Sequence, residues 1–293
     1  MEESSMTAER EQVSEDIIIE ARDVHYSYGE RGQPSLDGVS LKIGRGKKVA
    51  FMGANGSGKS TFFMCCNGIC RPDRGTVLVA GQPIDYSRKG LTAVRRSVGL
   101  VFQDPDSQLF SASVYQEISF GPMNLGIPED EVRREIEQVM DYLEIAPFRE
   151  RPAHALSGGQ KKQVTIADVL VMHPDVIILD EPASALDAKH TKLMNQIVDK
   201  LAEEGITILL ATHDMDYALE WADEIVLMHE GRVLLQADPV TVCESREVLA
   251  MTNQKEPAVL KIFRSLVEKG ILEEGLRPPV SIGQLEQYIS EGR

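Results

Sequence analysis

The chain has 293 residues and a formal charge of −15, from 46 acidic and 31 basic side chains. That balance argues against bulk nucleic-acid binding and against polybasic adhesion to anionic lipid, both of which need clustered Lys and Arg facing phosphates. The longest apolar runs, such as Ile206-Thr-Ile-Leu-Leu-Ala211, fall far short of the roughly 18 residues that span a bilayer.

Residues 1–14 are polar and charged and are expected to form a disordered tail without the apolar core of a secretory signal. Strand signals follow. Ile17-Ile-Ile19 is β-branched, and Val39, Leu41 and Ile43 alternate with polar neighbours, the period of a half-buried strand. Lys48-Val-Ala-Phe-Met-Gly53 reads as a buried strand entering a loop, and Thr76–Ala80 and Val98–Phe102 as two more. Val132, Ile136, Val139, Met140 and Leu143 then fall on one helical face. Val176–Leu179 and Ile206–Leu210 are apolar on both faces, as central parallel strands are. Between them Leu193, Ile197, Val198 and Leu201 mark an amphipathic helix stopped by Gly205. Beyond about residue 235 the strand signals fade, and Ser281-Ile-Gly-Gln284 has the capping-box spacing of a last short helix. The order predicts an α/β core, residues 15–235, carrying a helical subdomain at about 104–160. Residues 236–293 form a C-terminal appendage, a candidate dimerisation element.

Three segments carry chemistry. Gly53-Ala-Asn-Gly-Ser-Gly-Lys-Ser60 fits G-x-x-x-x-G-K-[ST]. In that pattern small residues let consecutive backbone N–H groups curl around phosphate oxygens, Lys59 reaches the β and γ phosphates, and the Ser60 hydroxyl binds Mg²⁺. Asp180 and Glu181 end an apolar strand: the first would hold Mg²⁺ through water, the second would polarise an attacking water. Leu156-Ser-Gly-Gly-Gln160 places a hydroxyl and bare N–H groups at a helix start, a second anion site. Two phosphate sites far apart in sequence suggest a nucleotide shared between two subunits.

Over residues 16–235 the chain resembles the ATPase subunit of an ABC transporter. The resemblance implies a P-loop NTPase core with an antiparallel β subdomain, and it assigns roles. Gly53, Ala54, Asn55, Gly56, Ser57, Gly58, Lys59 and Ser60 resemble the Walker A loop, with Thr61 just behind it. Asp180 and Glu181 resemble the Walker B aspartate and the catalytic base. Ser157, Gly158, Gly159 and Gln160 resemble the signature motif. Gln103 resembles the Q-loop glutamine near Mg²⁺ and the attacking water, and Ser184-Ala-Leu-Asp187 the D-loop. His213 resembles the switch histidine, and Tyr28 the aromatic residue that stacks on adenine, although Tyr26 competes for that place. ATP and Mg²⁺ are the implied cofactors. Two copies, or this chain and a related ATPase, would sandwich two ATP.

Val101-Phe-Gln-Asp-Pro-Asp-Ser-Gln-Leu-Phe110, Phe120-Gly-Pro-Met-Asn-Leu-Gly126, Asn67–Pro72 and Ile84–Lys89 resemble the ATPases of energy-coupling-factor importers, within them the cobalt/nickel type. This implies a transmembrane coupling subunit, a substrate-capture membrane subunit and a place at the cytoplasmic face of the cell membrane. Gln163 stands where that family usually has Arg, and Ala183-Ser184 replaces the more usual Thr-Ala. The alternatives are a vitamin-type importer ATPase and a soluble non-transport ABC ATPase. The latter predicts a coiled-coil insertion or tandem cassettes, neither of which this sequence shows. A module that binds ATP without turnover is opposed by Glu181 and His213, and a P-loop small-molecule kinase by Leu156–Gln160. Cys65, Cys66 and Cys70 read as reduced core residues rather than metal ligands. The aromatic group Phe110, Tyr115 and Phe120 reads most simply as subdomain core, the alternative being that some of it lines a groove that receives a partner helix.

Overall fold

The computed structural model describes residues 17–29 and 33–291; the tail expected at 1–14 lies outside them. Strands β1 (Ile17–Tyr26) and β2 (Leu36–Gly44) pair antiparallel, Ile19 opposite Ile43. Val39, Leu41 and Ile43 are buried, while Ser40 and Lys42 between them are exposed. Next come β3 (Lys48–Met52), α1 (Lys59–Cys66), β4 (Arg74–Val79) and the two-residue β5 (Gln82–Pro83). The first sheet is antiparallel with the order β2-β1-β4-β5.

The chain continues through α2 (Arg88–Ser97), β6 (Val98–Val101), α3 (Val114–Asn124), α4 (Glu129–Tyr142) and α5 (Gly158–Leu170). It then runs through β7 (Val176–Asp180), α6 (Ala188–Glu203), β8 (Thr207–Ala211), α7 (Met215–Trp221), β9 (Glu224–His229) and β10 (Arg232–Ala237). The second sheet has the order β10-β9-β3-β8-β7-β6, parallel from β9 to β6, with β10 antiparallel at the edge. Every residue of β7 and β8 is buried, which explains why they are apolar on both faces apart from Asp180 and Thr207 at their ends. Alternate residues of β3 serve opposite faces. Val49 and Phe51 join Phe62 and Phe63 of α1 in one core, and Ala50 and Met52 join the core that reaches the helices. Because β3, β6, β7 and β8 run parallel, their C-terminal ends share one edge, where open α/β sheets place ligands. The loops leaving that edge begin at Gly53, Phe102, Glu181 and Thr212.

In the helical region Val132, Ile136, Val139, Met140 and Leu143 are buried together, and α3 packs on α5. The aromatic expectation fails for two of three residues. Phe110 and Phe120 meet edge to face at 4.9 Å on the surface, 66% and 51% exposed. Val114, Ile118 and Pro122 form the inner face of α3 instead, and the buried Glu117 carboxylate accepts from the N–H groups of Phe110 (2.9 Å) and Ser111 (2.6 Å). On α5, Asp168 Oδ1 is out of solvent and unpartnered, while Gln108 Nε2 lies 3.4 Å from Oδ2. Burial, reinforced by Glu117, holds this carboxyl well above its ordinary pKa.

Cys65 and Cys66 are buried in α1, and Cys70 lies past its end, so the cysteines share no helix face. Burial pushes the Cys65 thiol up to about 12. Among the described residues no cluster of His, Cys, Asp and Glu could hold a metal ion.

The C-terminal segment forms α8 (Pro239–Glu244), α9 (Arg246–Met251), α10 (Ala258–Glu268) and α11 (Ile282–Glu291). It joins the main core through Val242, Leu249, Leu260, Phe263 and Leu285. Ser281 Oγ accepts from Gln284 N at 3.3 Å, as the capping spacing predicts, but Gln284 Oε1 returns to Val280 N at 2.8 Å, one residue earlier than in a capping box. Among the described residues no helix is long and apolar enough to cross a membrane.

Candidate nucleotide site

The loop between β3 and α1 follows from its glycines. Gly53 has φ 144°, and a Cβ there would lie 2.2 Å from Met228 O; Gly58 has φ 103°, with Ser35 O at 2.6 Å from its would-be Cβ. No other residue fits these two positions without moving backbone. The Lys59 side chain is buried and folds back, Nζ donating to Gly53 O (2.8 Å) and Ala54 O (3.2 Å). Burial lowers its pKa, and the charges of Glu181 and Asp180 oppose that shift. The Thr61 hydroxyl lies 3.2 Å from Tyr28 Oη, and Tyr28 itself is 63% exposed, its ring edge-on to Tyr26 at 5.0 Å. Tyr28, Ser35, Asn55 to Thr61, Gln103 and Glu181 enclose a cleft of about 440 Å³.

Three loops converge on Glu181. Gln103 Nε2 donates to its Oε2 at 2.8 Å, and His213 Nε2 lies 2.6 Å from its Oε1. The backbone of Glu181 has φ 48°, a left-handed conformation that costs a non-glycine residue about 1 kcal/mol or more and recurs at functional positions. Asp180, one residue earlier, is buried at the tip of β7. Burial raises its pKa, while the Ser60 hydroxyl and the lysines 59 and 162 favour its charged form. Two oxygen donors, a carboxylate and a hydroxyl, suit a hard divalent cation such as Mg²⁺.

Lys162, which the sequence did not single out, lies behind this edge. It is 3% exposed; its Nζ donates to Gln103 O and lies 3.5 Å from Glu181 O. In sequence it reads as an ordinary lysine within a mixed helix, and nothing in local spacing marks its burial.

The expected second anion site sits elsewhere. Ser157 caps α5: its Oγ accepts from Gln160 N at 3.3 Å, and Gln160 Oε1 accepts from Ser157 N at 3.0 Å. A Cβ on Gly158 would meet open space, and one on Gly159 would lie 2.4 Å from His190 Cδ2. Asp187 caps α6, its Oδ1 accepting from His190 N at 2.8 Å, a bond that holds its carboxyl below the usual range. The structure thus gathers Tyr28, Gly53 to Thr61, Gln103, Asp180, Glu181 and His213 at one edge. Ser157 to Gln160 and Asp187 do not line the cleft.

The ABC transporter family model matches residues 36–184. An energy-coupling factor transporter ATP-binding protein of Clostridium perfringens is 44% identical over 278 residues, 94% of this chain and 96% of that protein. The chain belongs to this family of ABC transporter ATP-binding subunits. A second energy-coupling factor protein, from Methanocaldococcus jannaschii, is 39% identical over 86% of this chain and 90% of its own length. Among solved structures, cbiO1 of C. perfringens, described as part of the ABC transporter complex cbiONQ, superposes with a TM-score of 0.72 at 44% identity. It covers 87% of this chain and 100% of that one. A dimeric ATP-binding cassette bound to ADP and Pi reaches 0.68 at 27% identity, over 76% and 99% of the two chains. As an energy-coupling factor ATP-binding subunit, the protein binds and hydrolyses ATP.

Proposed function

We propose that the chain powers uptake of a transition-metal ion, cobalt or nickel, through membrane partner subunits. The observation that carries the hydrolytic part is the Glu181 carboxylate fixed between Gln103 and His213, beside the Lys59 loop. Lys59 would exchange its bonds to Gly53 O and Ala54 O for the β and γ phosphates, meeting charge with charge. Tyr28 would stack on adenine at the open end of the cleft. Glu181 would take a proton from water as the new O–P bond forms and the bond to the β-phosphate oxygen breaks. Gln103 would orient that water, and His213 would hold the γ-phosphate. Asp180 and Ser60 would hold Mg²⁺, which supplies charge neutralisation at the phosphates.

Ser157 to Gln160, outside this cleft, would face the γ-phosphate held by a second copy or a close paralogue, with Asp187 at the same interface; the dimeric neighbour supports that arrangement. The C-terminal appendage would add to the dimer contact. A transmembrane coupling subunit and a substrate-capture subunit would complete the transporter and hold this chain at the cytoplasmic face of the cell membrane. The segments 67–72, 84–89, 101–110 and 120–126 support an energy-coupling-factor importer, and the metal cargo is supported by the chain's resemblance, within that group, to the cobalt/nickel type. Uptake of labelled Co²⁺ and Ni²⁺ by the assembled complex tests it. Accumulation that depends on Glu181 is expected; accumulation of neither ion above a Glu181→Gln control would return the cargo to the vitamin class.

A further inference from the structure

A lysine is among the side chains least often buried, because removing its charge from water is expensive unless partners compensate. Lys162 is nevertheless nearly inaccessible, in the second turn of α5. Its ammonium takes no carboxylate directly. It binds the backbone oxygen of Gln103 and approaches that of Glu181, the two residues whose side chains are bonded to each other at 2.8 Å. Burial lowers its pKa, and Asp180, Asp104 and Glu181 act to retain its charge. It also offsets the negative charge at the tip of β7, where Asp180 and Glu181 are adjacent.

We propose that Lys162 is a positioning residue for hydrolysis. It sets the Gln103 and Glu181 backbones in the register that lets the Gln103 amide hold the Glu181 carboxylate. Gln103 follows β6 and Glu181 follows β7, so their mutual placement depends on two separate loops. A single donor reaching both carbonyls fixes one loop against the other. The same lysine belongs to the helix that Ser157 caps. A displacement of the signature turn is therefore carried by one rigid element into the hydrolytic pair of the same chain.

The test is steady-state ATPase kinetics of the full-length protein. Lys162→Met keeps the length and removes the donor. It is expected to lower kcat by about 10–100-fold, the scale of a small misplacement of reacting groups, with KM for ATP within about threefold of wild type because the Lys59 loop is untouched. Lys162→Arg should recover most of kcat. A double-mutant cycle with Gln103→Ala should be strongly non-additive, since a residue acting through Gln103 has little left to lose once that side chain is gone. An unchanged kcat in Lys162→Met, additive losses in the cycle, or equal losses in the Met and Arg variants that track a lowered melting temperature would each overturn the proposal. If Lys162→Met does not fold, Lys162→Gln, with a shorter and uncharged donor, takes its place under the same criteria. The proposal rests on Glu181 as the base. Wild-type turnover in Glu181→Gln would remove that reading itself, whereas an inactive Glu181→Gln beside a fully active Lys162→Met would remove only the positioning role.

Discussion

The Gly53–Thr61 loop and the Ser157–Gln160 turn both stand at the start of a helix, yet their surroundings differ. The first sits beside the loops that follow β6, β7 and β8: the charges of Glu181 and Asp180 act on Lys59, and Gln103 and His213 hold the Glu181 carboxylate. The second is closed on itself by a reciprocal cap, with Gly158 open to its surroundings. The first region thus gathers its mutually bonded groups within one chain. The signature turn instead borders the Lys161–Asp106 and His190–Asp187 pairs and stands outside the cleft. On the proposed reading, the two regions are halves of two different composite sites.

Breaking the first region should show the largest effect. Glu181→Gln is expected to lose about 10²–10⁴-fold in turnover, the scale of a positioned base, while ATP binding measured by fluorescence titration stays near wild type. An unaltered steady-state rate would contradict the role given to Glu181. Lys59→Ala should fail one step earlier. Loss of a charge-assisted contact to the phosphates is expected to weaken ATP binding roughly 10–100-fold, and equal affinity in the same titration would refute the phosphate-loop reading.

The strand-end site was far more legible in the sequence than its supports. Gly53 to Ser60 and Asp180-Glu181 are local patterns whose chemistry demands particular residues at fixed spacing. The apolar strands β3, β7 and β8 announce themselves by composition; β9 and β10, each six residues long, are not among the expected strands, and β10 is only partly buried. Lys162 could not be found because its partners lie 59 and 19 residues away. Aromatic content alone shows neither that Phe110 stands in the loop before α3 nor which face of α3 Phe120 takes. The six-residue helices α8 and α9 are too short for a period to emerge.

The smallest effect sharpens the picture of the signature helix. Asp168 on α5 has its pKa raised by burial, so the folded state keeps a proton that the unfolded chain releases first. Stability is then fully present below the ordinary carboxylate pKa and is lost as pH rises through the raised folded value. Asp168→Asn, which cannot titrate, should flatten this part of the melting temperature–pH profile and raise the melting temperature at pH 7 by about 2–4 °C. A profile that keeps the wild-type slope would mean that the Asp168 carboxyl is not held protonated.

Complementation between inactive variants tests the separation of the two regions most directly. Lys59→Ala spoils the loop and Ser157→Arg spoils the signature turn, so a dimer of either variant carries two damaged sites. In a mixed dimer of the proposed arrangement both lesions fall in one site, because Lys59 of one chain would face Ser157 of the other, and the second site is intact. Mixing the variants should restore ATP turnover, up to about half of the wild-type rate per mixed dimer if the sites act independently. The measurement should be made on the assembled complex as well as on the isolated subunit, since membrane partners raise the effective concentration of one ATPase beside the other. Recovery of turnover on mixing is the predicted result. Turnover no higher than the sum of the separate variants in both settings, with wild-type activity strictly linear in protein concentration and no dimer in Mg-ATP, would contradict the account.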